Sequence, residues 1–166
     1  MLIHKTANFE VVAADRPHVD RRDGGHIKIV PWVRVSDRTK LLPAQAFELM
    51  LLTMIVGEAM SSGLNQRGID IGRINYQDNG NWGVFRAEGP HLHIHLYGRA
   101  RSAIVQKFGD ALHFPQRDTG FYDRFEPLNT EDVAAIRAQL QRLLCTPKYR
   151  EYPMLKGLGQ SGSPEM

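Results

Sequence analysis

The chain has one cysteine, Cys145, in 166 residues. That excludes an intramolecular disulfide and any zinc site built on paired thiolates. Long apolar runs are also missing. The most apolar stretch, Ala46 to Val56, contains Glu48 and is too short to span a bilayer, so no membrane partner is expected. Met1 to Glu10 lacks the charged and apolar blocks of a signal peptide, which makes the cytoplasm the expected compartment. No long basic run interleaves with aromatics. The net charge is only +3 and the basic residues are scattered, with Arg21-Arg22 between Asp20 and Asp23. This argues against a specific nucleic-acid groove, while a mild positive field still favours an anionic small substrate. There is no internal repeat. What remains, 42% hydrophobic and 23% charged residues, describes one ordinary globular domain.

Against that plain background one run stands out: His91-Leu92-His93-Ile94-His95. Three of the seven histidines alternate with apolar residues. On a strand all three imidazoles would line one face, while Leu92, Ile94 and Leu96 would line the other. Histidine changes charge near neutral pH, so the trio points to proton transfer, nucleophilic attack or metal binding. Strict alternation argues against a solvated strand that carries histidines by chance. A metal site meets a distance problem, because residues i and i+4 on a strand lie about 13 Å apart. One ion would need help from elsewhere, with His26, Asp110 and His113 as candidates. The remaining reading makes His93 a nucleophile whose neighbours bind an anionic group. Such an imidazole must be neutral, with its other nitrogen donating a hydrogen bond.

The rest of the pattern predicts an α+β domain with an antiparallel sheet. Phe9 to Ala14, His26 to Val35, Asp70 to Gln77, Trp82 to Ala87 and His91 to Tyr97 read as strands, with Asn79-Gly80 as a hairpin turn. Pro43 to about Met60 reads as the main helix, apolar on most sides, as either a subunit interface or a deep core position would require. Asn129 caps a second helix ending near Leu144. Phe108 to Leu128 has little periodicity and is long enough to be functional or disordered. The domain is expected to span 1–150, with a flexible tail over 151–166. Gly157 to Gly162 matches a dinucleotide-binding glycine pattern, but it follows no strand and opens no helix.

Gly89-Pro90-His91-Leu92-His93-Ile94-His95-Leu96-Tyr97-Gly98-Arg99 resembles the histidine triad (HIT) signature. Gly25-His26 to Pro31 resembles that family's Gly-His strand ending in Pro, and Ile74-Asn75 its strand ending in Asn. The resemblance implies a five-stranded antiparallel sheet with two main helices, extended across a homodimer. It also implies a nucleotide hydrolase or nucleotidyltransferase that works through a covalent phosphohistidine, without metal or other cofactor. His93 would be the nucleophile, and His91 and His95 would hold phosphate oxygens. Asn75, Asn81, Arg99 and Arg34 are the expected substrate-binding residues. Two positions depart from the pattern. Arg34 takes the place of a fourth histidine after Pro31, and Glu88 stands where a phosphate-donating Ser or Thr is usual. A carboxylate there either points away or yields its role to Asn79 or Asn81. A metal-dependent hydrolase on the same strand, and a nucleotide-binding protein that has lost its chemistry, remain open alternatives.

Overall fold

The structure is a computed structural model, and it describes residues 1–78 and 81–157, without the side chain of Asn81. In chain order the elements are β1 (Leu2–Lys5), β2 (Phe9–Ala13), β3 (His26–Pro31), α1 (Pro43–Gln66), β4 (Ile71–Gln77), β5 (Ile94–Ala100) and α2 (Thr130–Leu144). The strands form one sheet in the order β1-β2-β3-β5-β4, antiparallel at every pairing. Period-two alternation gives this sheet two unlike faces. Phe9 and Val11 of β2, Ile27 and Ile29 of β3, and Ile94 and Leu96 of β5 enter the core. His26 and Lys28, and His95 and Tyr97, fall on the opposite face.

Both helices close the apolar face. Leu52, Ile55, Val56, Ala59 and Met60 of α1 share the core with Val133, Ile136 and Leu140 of α2. Each aliphatic side chain removed from water there contributes about 1.5–3 kcal/mol. α2 starts where Asn129 accepts from the Asp132 N–H at 2.9 Å. The buried Asp132 carboxylate then takes Arg21 at 2.5 Å, tying the β2–β3 connection to the helix. α1 runs six residues past its expected end, to Gln66, and it leaves Phe47, Met50 and Met54 exposed.

Two sequence expectations need correction. Trp82 to Ala87 is not a strand: a short 3-10 turn over Asn81–Gly83 leads into irregular chain. Val84 and Phe85 are exposed there, so β-forming residues had no apolar face to join. The sheet keeps five strands because Leu2–Lys5 pairs with β2 at the edge. Second, β5 begins at Ile94, so His91 to His93 precede the ladder. Pro90 cannot donate, and the Leu92 N–H instead reaches Val35 O at 2.7 Å. Beyond residue 150, Leu155 is fully buried and its carbonyl meets His4 Nε2 at 2.7 Å. The Asn79-Gly80 turn, the Asn79 side chain and the tail beyond 157 lie outside the described residues, and with that tail most of the glycine pattern.

Candidate active site

Over the polar face of the sheet lies a cavity of about 910 Å³. His91, His93 and His95 line it together with His18, His26, Lys28, Trp82 and Phe114. The triad rings converge, with successive centroids 4.9 Å and 4.5 Å apart.

Hydrogen bonds fix where the protons sit. His93 Nδ1 lies 3.0 Å from the His91 carbonyl, which can only accept. The proton is therefore on Nδ1, and Nε2 keeps its lone pair. A second chain fixes His95. The His18 N–H donates to His26 Nδ1 at 3.2 Å. His26 thus carries its proton on Nε2 and donates it to His95 Nδ1 at 2.8 Å. His95 is left with an Nε2–H on the far side of its ring. The site offers one bare nitrogen beside a fixed N–H donor.

Burial keeps these rings neutral. It pushes His95 down to about 3, with His93, His18 and Lys28 adding to the effect. It takes His26 well below its ordinary value. His93 is lowered by burial, and the bond to the His91 carbonyl partly offsets this by favouring the protonated ring. His18 falls to about 4 through burial and the nearby charges of Arg117 and Lys28. Its Nδ1 lies 3.0 Å from the Tyr97 hydroxyl, and burial holds that phenol protonated.

The loops that roof this face are pinned to each other. Asp23 accepts from the backbone N–H groups of Ile104, Val105 and Gln106 at 2.7–2.9 Å. The Gln106 amide donates to the carbonyls of His18 and His113. The aperiodic stretch after β5 is thereby ordered, and it delivers Phe114 and Arg117 to the cavity.

The expected substrate-binding residues divide. Arg34 lines the cavity, and its guanidinium donates to the carbonyls of Glu88 and Gly89 at 2.7 Å each, holding the turn before the triad. A further imidazole, that of His26, meets His95 from β3. Arg99 is 4% exposed and donates to the carbonyls of Lys107 and Asp110, holding the turn that follows β5. Asn75 is not among the residues that line the cavity, and Gln77, two residues further along β4, is. The Asn81 side chain lies outside the described residues. Glu88 lines the cavity as an exposed residue at its rim.

The sequence offers His26 as a metal candidate and as part of the Gly-His strand, and it gives Lys28 no role. Alternation with Ile27 and Ile29 was the available signal for Lys28. The ligand nitrogens of His18, His26 and His95 lie within 4.8 Å of one another, a spacing open to a metal ion. Yet an ion on His26 Nε2 would drive that proton to Nδ1, against the His18 N–H. The arrangement suits a chain of neutral rings better than an ion.

No known protein-family profile matches the sequence, and no curated protein matches it. Solved structures do. A zinc-bound histidine triad family protein from Mycobacterium smegmatis matches at 24% identity over 86% of this chain and 84% of its own, with a TM-score of 0.56. A histidine triad protein from Marinobacter aquaeolei matches at 19% identity over 87% and 88%, with a TM-score of 0.58. The chain has the histidine triad fold. A histidine triad nucleotide-binding protein from Sulfolobus tokodaii shares the same architecture at 12% identity, with 86% and 85% covered and a TM-score of 0.57. On this HIT fold the three triad imidazoles stand at the end of a central strand, facing the cavity.

Proposed function

We propose that the protein hydrolyses or transfers the phosphoryl-linked part of a nucleotide, or of a similar phosphorylated small molecule, through a covalent adduct on His93. The observation that carries this reading is the placement of protons: a bare Nε2 on His93 beside a fixed N–H on His95. In the first step the His93 Nε2 lone pair bonds to phosphorus. The bond from phosphorus to the leaving oxygen breaks, and that oxygen departs with the pair as an anion. His95 donates a hydrogen bond to the phosphoryl oxygens, where transition-state charge gathers, and keeps its proton. His91 flanks the other side. In the second step water, or another hydroxyl, bonds to phosphorus. The N–P bond breaks, its pair returns to Nε2, and the attacking oxygen loses its proton to solvent. The aromatic wall of Trp82, His18 and Phe114 supports a nucleobase beside this chemistry.

The Sulfolobus tokodaii protein, which bears a nucleotide-binding name on the same fold, lends the same direction. A homodimer belongs to this proposal as well, with Phe47, Met50 and Met54 of α1 as the apolar face to be covered. Light scattering at micromolar concentration would return twice the chain mass, and a single chain mass would refute the dimer.

The deciding experiment is a quench. The protein is mixed with activated nucleotides whose leaving atom is oxygen, including dinucleoside polyphosphates, stopped in base, and digested for mass spectrometry. A nucleotidyl mass on His93, absent in the folded variants His93→Ala and His93→Asn, is expected. Tight nucleotide binding without adduct or turnover would make the protein a binding module instead.

A further inference from the structure

Among the described residues Lys28 is a charge without a carboxylate or hydrogen-bond partner. It lies in β3 directly across from His95 in the ladder and two residues from His26. The alternation that buries Ile27 and Ile29 turns Lys28 to the histidine face. There it lines the cavity with His91, His93 and His95, and it is only partly exposed. Half-burying an unpaired ammonium opposes folding unless an anion compensates. Exposed arginines at the rim add to the positive charge: Arg16, Arg34, Arg86 and Arg117 line the cavity, with Asp15 and Glu88 as the carboxylates among the described lining residues. The usual hydroxyl donor before the triad is also replaced, by Glu88.

We propose that Lys28 binds the non-bridging phosphoryl oxygens of the group transferred to His93, supplying from β3 the positive charge that the turn before the triad does not. This rests on the reading of His93 as the nucleophile. Lys28 is an electrostatic clamp and takes part in no proton transfer. Burial is the main cause that lowers His18, His26, His91, His93 and His95, and the charge of Lys28 adds to it at each of these imidazoles.

The test compares Lys28→Met, which keeps the length of the side chain and removes the charge, with Lys28→Arg. Melting curves establish that both fold. Calorimetry at low ionic strength measures AMP, inorganic phosphate and adenosine. Loss of one charge-assisted contact predicts about 10- to 100-fold weaker AMP and phosphate binding in Lys28→Met. Adenosine affinity stays the same, and Lys28→Arg recovers most of the loss. The rate of adduct formation on His93 falls in parallel. Equal AMP affinity in wild type and Lys28→Met overturns the proposal. So does a loss of adenosine binding as large as that of AMP, which would mark a structural role, and so does absence of phosphate and AMP binding in the wild type. Should the wild type bind AMP but never form an adduct, the nucleophile reading fails alone, and the AMP-to-adenosine contrast still decides Lys28.

Discussion

An imidazole attacks from a nitrogen that holds a lone pair, so at the scale of the residue this site is decided by where protons rest. His93 is served by its own neighbour, two positions back along the chain. His95 depends on His26, 69 residues away, and His26 on a backbone N–H in a third segment. His26→Ala would free His95 to exchange tautomers and would strip its Nδ1 of a donor. The expected loss in the rate of adduct formation is about 10- to 100-fold, the usual effect of removing the hydrogen-bond partner behind a working histidine. His26→Gln, whose amide can donate near the old Nε2 position, should restore much of it. Nitrogen NMR reads the tautomer directly; an unchanged His95 tautomer and rate in His26→Ala would remove the chain from the mechanism. The triad was legible in the sequence because its members are neighbours on one strand. The His26–His95 bond was not, because it needs the β3–β5 register, in which His26 faces Tyr97 and reaches His95 diagonally. The partners of Arg99 were hidden for the same reason: its side chain shares a strand with the triad, yet the loop over it claims the guanidinium.

At the scale of the element, the roof of the cavity depends on how closely the β2–β3 connection crosses β5. Gly24 takes φ +132° and lies against Gly98, where a Cβ would come 2.1 Å from the Gly24 carbonyl oxygen. The Gly98 N–H donates to Gly25 O across the same crossing. Backbone meets backbone there, so neither side can yield by turning a side chain. Gly98→Ala should destabilise the protein by about 1–3 kcal/mol, as overpacking does. It should also lift the loop that carries His18, raising the KM for a nucleotide. Denaturant unfolding and steady-state kinetics check both effects, and wild-type values for each would show that the crossing gives way easily. The sequence marked Gly98 only as a strand end. Capped and periodic elements such as α2 were readable to the residue, because their signals are local. The Trp82 to Ala87 stretch was misread because strand formation needs a partner edge and a face to bury, and the sequence names neither.

At the scale of the whole molecule, the fold holds most of its histidines neutral inside a cationic cavity, and stability should report this. Burial lowers His4, His18, His26, His91, His93 and His95 in the folded chain. Unfolded, each returns to about 6.5. Below that pH the unfolded chain binds protons that the folded chain resists, so stability present above pH 6.5 is lost as pH falls. For His18 the loss continues to about 4, and for His95 to about 3. Lys28 and Arg34 steepen it, since an imidazolium would share their cavity. Carboxylates lowered by their partners, Asp37, Glu58 and Asp70, withdraw stability only as pH falls below about 5, where the unfolded carboxylates begin to take up protons. Between pH 6.5 and 5 the slope therefore belongs to histidine. Calorimetric Tm should hold level from pH 8 to about 6.5 and then fall steadily, and the fall should be shallower in His26→Gln. Catalysis should persist into the same range, because His93 keeps its lone pair below 6.5, and fail only as that ring takes up a proton. A Tm that stays flat from pH 8 to 5 would mean that the rings protonate freely in the folded state, and with that the bare nitrogen the chemistry needs would be lost.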